Sequence, residues 1–147
     1  MNPLFRIRKL RCSYDGNEVV VDIPELDIPR KGLIGLMSVS GGGKSTTLET
    51  LGLMNHTFLS GSEITFFPHE EGEGYEFEHL WKSENDRNIS QIRNEHYSFI
   101  FQKTNLMPNF TAYENICITQ MIQGKSHQAS ILHAKKVMDA MGLECHW

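Results

Sequence analysis

Cysteine is scarce in this sequence: Cys12, Cys117 and Cys145 are odd in number, and no two stand at CxxC spacing. That argues against a disulfide framework and suits a reducing compartment. No apolar run approaches the roughly 18–20 residues that span a bilayer. Arg6 puts charge where an export signal carries its apolar stretch, so a cytoplasmic protein is expected. Neither sign of charge dominates. Fourteen Lys and Arg against eighteen Asp and Glu leave a net charge of −4, a poor balance for holding nucleic-acid phosphates through a bulk field. None of the seven histidines stands at metal-site spacing; Cys145-His146 is read as coincidence, and His127 and His133 as solvent-facing. What remains is a chain of 147 residues, 39% apolar, with twelve glycines and no repeat or low-complexity tract. This is the composition of one ordinary soluble domain.

Strands are expected early and helices late. Leu4–Leu10 and Val19–Ile23 read as strands around the turn Asp15-Gly16-Asn17. Leu33–Met37 is short, uncharged and turn-bounded, which predicts a buried strand. Lys44–Met54 carries Leu48, Leu51 and Met54 at helical spacing, and Ile64–Phe67 reads as another strand. Residues 69–79 hold five glutamates without Lys or Arg; lacking the order of a calcium loop, they predict a solvated loop or hairpin. A polar helix is expected within Ser83–Glu95, then an aromatic strand over Tyr97–Phe101. Thr111-Ala112-Tyr113-Glu114 has the form of a capping box, starting a helix that runs to about Gln123 and stops at Gly124. Ser126 is expected to cap a last helix, with Ile131, Leu132, Met138 and Met141 on one side and Gly142 at its end. Met37, Met54, Met138 and Met141 are read as core residues.

The most informative stretch is Ser38-Val39-Ser40-Gly41-Gly42-Gly43-Lys44-Ser45-Thr46, set between a predicted strand and a predicted helix as a phosphate-binding loop requires. Glycines let successive backbone N–H groups turn toward a phosphate with no Cβ in the way. The following helix aims its unpaired N–H groups and the positive end of its dipole at the same anion. Lys44 would reach the β- and γ-phosphates as a point charge, and the Ser45 hydroxyl would serve Mg²⁺. Ser38 stands where the strict pattern has its first glycine; the expectation is a weakened opening turn with phosphate binding retained.

Three separated features make the chain resemble the ATP-binding cassette family, the ATPase subunits of ABC transporters. Ser40 through Leu48 is similar to the family's phosphate loop. Phe99-Ile100-Phe101-Gln102, Asn105-Leu106-Met107-Pro108, Thr111-Ala112 and Glu114-Asn115-Ile116 resemble its Q-loop region in order. Tyr14, thirty residues before Lys44, sits where the family places an adenine-stacking aromatic. The wording of the Q-loop looks most like the lipoprotein-export and macrolide-efflux type. The resemblance implies an α/β fold: a P-loop NTPase sheet, a flanking antiparallel β part and the start of a helical subdomain, incomplete at the C-terminus. It divides the chain into a nucleotide-binding core (4–67), an acidic insertion and helix (68–96), a Q-loop region (97–116) and the first part of the helical subdomain (117–147). It further implies ATP and Mg²⁺ as cofactors. Nucleotide would be bound by Tyr14, Ser40, Gly41, Gly42, Gly43, Lys44, Ser45 and Thr46, with Lys44 and Gln102 catalytic and Ser45 and Gln102 at the metal. The partners implied are a transmembrane permease and a second, head-to-tail ATPase subunit, at the cytoplasmic face of a membrane.

The signature loop, Walker B strand and switch histidine that follow the Q-loop in the family have no counterpart here. Leu59-Ser60-Gly61-Ser62 imitates a signature but reads as a turn into a strand. Val19-Val20-Val21-Asp22 imitates a Walker B strand but precedes the phosphate loop and is followed by Ile23 rather than Glu. The expectation is a chain that binds ATP rather than turning it over efficiently. The alternative is a non-catalytic, nucleotide-responsive binding module that signals to a protein partner through Gln102–Ile116. A small-molecule kinase is a weaker third reading.

Overall fold

A computed structural model describes residues 2–83, 86–103 and 106–143. The chain divides into two compact units, one through Ser98 and one from Phe99 onward. In the first, strands β1 (Phe5–Cys12), β2 (Val21–Ile28), β3 (Glu63–Phe66) and β4 (Tyr75–Glu76) form an antiparallel sheet in the order β2-β1-β3-β4. Helices α1 (Lys44–Leu51), α2 (Phe77–Lys82) and α3 (Asp86–His96) complete that unit. The second holds α4 (Ala112–Ile122) and α5 (His127–Ala140).

The first two strands form from alternating apolar residues, with one change of phase. Phe5, Ile7, Leu10 and Cys12 are buried, so the inward set shifts by one residue between Ile7 and Leu10. The shift falls at Lys9, whose φ is 52°. The ladder pairs Arg8 with Glu25 and Leu10 with Ile23, passing over Lys9 and Pro24. Pro24 has no N–H to give, and β2 tolerates it because it lies at the sheet's edge. On the outer face Arg8 reaches Asp27 at 2.7 Å and Glu25 at 3.1 Å.

The core lies between the sheet and α1–α3, with Ile7, Leu10, Leu53, Phe77, Ile89 and Ile92 at its centre. Phe5 packs against Phe66 at 5.1 Å between ring centroids and edge-on to Phe77 at 6.3 Å. The acidic segment does form a hairpin, closing β3 onto β4. Helix α2 was not expected there; Phe77 and Leu80, three apart, are its buried side, too short a pattern to stand out among the glutamates.

Two predicted strands are absent. Leu33–Met37 makes no ladder, with Leu33 and Met37 almost fully exposed. Tyr97–Phe101 likewise forms no strand, and Ile100 is fully exposed. A uniformly apolar strand needs neighbours on both sides and cover on both faces, and among the described residues neither segment has such a neighbour. Two expectations about helix faces also fail. Helix α1 buries Thr46, Thr47, Thr50 and Leu51 while Leu48 is exposed. Helix α5 buries Ser130, Ala134 and Met138, leaving Leu132 and Met141 in solvent. Met37 and Met141 are therefore not core residues, whereas Met138 is fully buried. His127 and His133 are exposed as expected; Cys145-His146 lies outside the described residues.

The second unit follows its caps closely. The Thr111 hydroxyl accepts from the Glu114 N–H, while the Glu114 carboxylate accepts from the Thr111 N–H at 2.8 Å, a complete capping box. Ser126 caps α5 through the Ala129 N–H. Gly124 and Gly142, at φ of 82° and 69°, end the two helices. Cys117 donates toward the Ser130 carbonyl at 3.7 Å where α4 meets α5.

Arg30 ties the first unit together beyond the sheet. Its guanidinium donates to the carbonyls of Asn2, Pro3, Phe67, Pro68 and His69, joining the N-terminal segment to the end of β3. Lysine has one compact ammonium and cannot reproduce this fork. Arg30→Lys is therefore expected to cost about 1–3 kcal/mol, read as a lowered Tm in thermal denaturation; an unchanged Tm would show the clamp to be dispensable. Glu114 supplies a second expectation. The Thr111 N–H, then its hydroxyl, hold the carboxylate below the ordinary glutamate value. A depressed value means that its contribution is complete above the unfolded-state pKa and fades as pH falls through the lower folded one. By NMR, the Thr111 amide should titrate with a midpoint below that of an ordinary glutamate, and Glu114→Gln should abolish that titration.

Candidate functional site

The site is built where the chain enters β2 and leaves for α1. Gly43 closes the loop in a left-handed conformation (φ 74°), and Gly41 adopts another (φ 79°). At Gly43 a side chain is excluded twice over, since a Cβ would lie 2.5 Å from the Val20 carbonyl oxygen and 2.6 Å from a Val21 methyl. The missing Cβ thus lets the loop rest directly on the start of β2. Gly42 is constrained by a different neighbour: its Cβ would lie 2.5 Å from the Ser38 hydroxyl.

Helix α1 begins at Lys44 with no side-chain cap and no acidic residue in its first turn. Its N-terminal N–H groups and the positive end of its dipole are therefore directed at the loop without a competing anion. The Thr47 N–H and hydroxyl both return to the Gly43 carbonyl, at 2.8 and 2.9 Å, which fastens the first turn. Lys44 folds back over the loop: its Nζ donates to the Ser38 carbonyl (3.0 Å), the Ser38 hydroxyl (3.0 Å) and the Val39 carbonyl (2.9 Å). Ser45 is exposed and Thr46 buried.

Tyr14 reaches the same helix from the β1–β2 connection. Its hydroxyl is 2.8 Å from that of Thr46, while the residue is 66% exposed, so the ring is tethered at its tip and keeps an open face. The turn beside it is fixed by Asp15, whose carboxylate accepts from the Ser13 hydroxyl and from the N–H groups of Asn17 and Glu18. Those bonds, the Glu18 N–H foremost, hold the Asp15 carboxyl below the ordinary range.

Tyr14, Gly41, Gly42, Gly43, Lys44, Ser45 and Thr46, with Val20, line one cavity of about 210 Å³. Sequence reasoning placed all seven in a single site. Ser40 is exposed on the same loop but does not line that cavity. The lining is rich in donors, comprising an ammonium, hydroxyls and an uncapped helix terminus, and it contains no carboxylate. This chemistry fits a phosphate anion with an aromatic face beside it.

Gln102 is exposed in a bend of the second unit, and Asn105 lies outside the described residues. The rest of that region has a local anchor that the sequence did not reveal. Asn115 is buried in α4, accepts from the Met107 N–H at 2.8 Å and donates to the carbonyls of Met107, Phe110 and Thr111. Ser38 was treated as a defect of the loop and is instead a partner of Lys44. The sole available signal was its position, six residues before the lysine on the far side of the glycines.

Leu59-Ser60-Gly61-Ser62 is a turn into β3, with the Ser62 N–H on the Leu59 carbonyl and its hydroxyl accepting from the Arg11 N–H. Val21-Asp22 opens β2. Among the described residues, no group of His, Cys, Asp and Glu is arranged to hold a metal, and no helix is long and apolar enough to cross a membrane.

No family model matches the chain. The lipoprotein-releasing system ATP-binding protein LolD of Zymomonas mobilis is 33% identical over 146 residues, covering 97% of this chain and 58% of that protein. LolD of Novosphingobium aromaticivorans is 30% identical over 145 residues, covering 97% and 59%. The macrolide export ATP-binding/permease protein MacB of Escherichia coli K12 is 24% identical over 152 residues, covering 98% of this chain and 21% of that protein. A dimeric structure of a bacterial ABC transporter cassette shares the fold at a TM-score of 0.61 and 22% identity, over 83% of this chain and 49% of that one. The chain thus spans a little over half the length of the LolD relatives. Along nearly its whole length the chain is similar to ABC ATP-binding proteins, and it shares the mixed α/β fold of a solved ATP-binding cassette.

Proposed function

We propose that this chain binds ATP with Mg²⁺ in the cavity between Tyr14 and the start of α1. The observation that carries the reading is the convergence there of an uncapped helix N-terminus, Lys44, the exposed Ser45 hydroxyl and an open aromatic face. The phosphates would rest on the N–H groups of Gly41 through Thr46, with Ser40 at the rim. Lys44 would leave the loop oxygens for the β- and γ-phosphates, and the adenine would stack on Tyr14. Ser45 would hold Mg²⁺ through its hydroxyl, and Gln102 would serve the metal and the attacking water with an amide that both donates and accepts. Mg²⁺, when bound, neutralises charge between the β- and γ-phosphates. The donor-rich, carboxylate-free lining supports the phosphate part of this assignment.

On the same reading, 4–67 is the nucleotide-binding core, 68–96 an acidic insertion, 97–116 the Q-loop region and 117–147 the start of a helical subdomain. The activity proposed for the whole protein is ATP hydrolysis coupled to transport across a membrane. A permease and a second cassette would be its partners, at the cytoplasmic face. Similarity to ATP-binding proteins of lipoprotein release and macrolide export supports this assignment.

Isothermal titration with MgATP tests the site. Lys44→Ala is expected to weaken binding at least about tenfold, because the charge that meets the phosphates is lost. Equal affinity of wild type and Lys44→Ala would overturn the reading. Tyr14→Ala should cost about 1–3 kcal/mol of binding, the worth of one base–aromatic stack. Tyr14→Phe, which keeps the ring and loses the Thr46 bond, should bind nearly as well as wild type; equal loss in both variants would place the contribution in the hydroxyl instead.

A further inference from the structure

The Lys44 ammonium has three protons to donate, and the loop takes all three: the Ser38 carbonyl, the Ser38 hydroxyl and the Val39 carbonyl, each within 3.0 Å. Two of these acceptors are backbone and present whatever the sequence. The third exists because serine occupies the position where the strict loop pattern has glycine. The Ser38 side chain has room to turn inward because Gly42 lacks a Cβ; one there would lie 2.5 Å from the Ser38 hydroxyl and 2.9 Å from its Cβ. The same hydroxyl contacts the carbonyls of Val39 (3.1 Å) and Gly42 (3.3 Å), so its proton is directed at the loop and its lone pairs are left for Lys44.

We propose that Ser38 is a positioning residue that latches Lys44 onto its own loop, in competition with a polyphosphate ligand. The proposal rests on the nucleotide reading above and adds a regulatory element to it. A polyphosphate must take the ammonium away from the hydroxyl, so the latch lowers affinity for ligands that Lys44 touches and leaves others unaffected. Removing the hydroxyl while keeping the two carbonyls frees one donor for a phosphate oxygen.

The experiment compares wild type, Ser38→Ala, Ser38→Gly and Lys44→Ala by titration with MgATP and with AMP, which has no β- or γ-phosphate. Both Ser38 variants are expected to bind MgATP about two- to tenfold tighter than wild type, the range of one net hydrogen bond, with AMP affinity unchanged. Unchanged or weaker MgATP binding, or an equal shift for AMP, overturns the latch. Equal MgATP binding by wild type and Lys44→Ala overturns the nucleotide reading instead, so the two failures are distinct. A measurement on wild type alone stands even where a variant fails to fold. Amine acylation followed by peptide mass spectrometry should modify Lys44 several-fold more slowly than exposed Lys31, and equal rates would overturn the proposal.

Discussion

The site depends on one close approach, that of the Gly43 backbone to the first residues of β2. With a φ of 74° and no room for a Cβ against Val20 and Val21, Gly43 can be replaced by no other residue without moving either the helix or the strand. The approach fixes where α1 starts, and the start of α1 sets the position of everything else at the site. Lys44 is its first residue, Thr46 two residues later holds the Tyr14 hydroxyl, and the uncapped N–H groups point into the space that Tyr14 and the glycines enclose.

Helix α1 is held in that place by polar contacts as well as by the buried Leu51. Its fully buried Thr50 lies within hydrogen-bonding reach of the side chains of Asn55 and Thr57, and 3.8 Å from the Cys12 sulfur in β1. Asn55 in turn donates to Glu49 at 2.9 Å. Such a network specifies one orientation more sharply than a greasy stripe, because a rotation of the helix would leave several buried hydroxyls unpaired. Burial also raises the Cys12 thiol above its ordinary value, so it remains protonated and able to serve the network as a donor.

This is also why parts of the fold were legible in the sequence and others were not. Caps and helix stops act through local chemistry, and Thr111, Ser126, Gly124 and Gly142 each do what their residue type implies. Glycines and a lysine before an expected helix likewise announced the phosphate loop, and six residues from Gly41 to Thr46 line one cavity with Tyr14. The helix face was misread because apolar periodicity counts leucines and cannot see a threonine network; Leu48 therefore looked inward and is exposed. The strands at Leu33–Met37 and Tyr97–Phe101 were inferred from local composition, but a strand forms only within a sheet, and sheet pairing is not local. Asn115, four residues beyond a cap, carries no pattern that marks it as the anchor of Met107 through Thr111.

The two sides of the phosphate loop are therefore supported unequally. On the helix side, Gly43 is locked to β2 and the first turn is fastened by Thr47. On the other side, the chain arrives through Leu36 and Met37, which belong to no ladder and are exposed. A loop anchored at one end keeps its conformational entropy at the other unless internal bonds remove it. The contacts that do so are those of Ser38 with Val39, Gly42 and Lys44, together with the Gly42 N–H on the Val39 carbonyl. A glycine at residue 38 would keep the carbonyl contacts and lose every bond made by the side chain. The residue that departs from the loop's strict pattern is thus the one that closes the loop where the sheet does not.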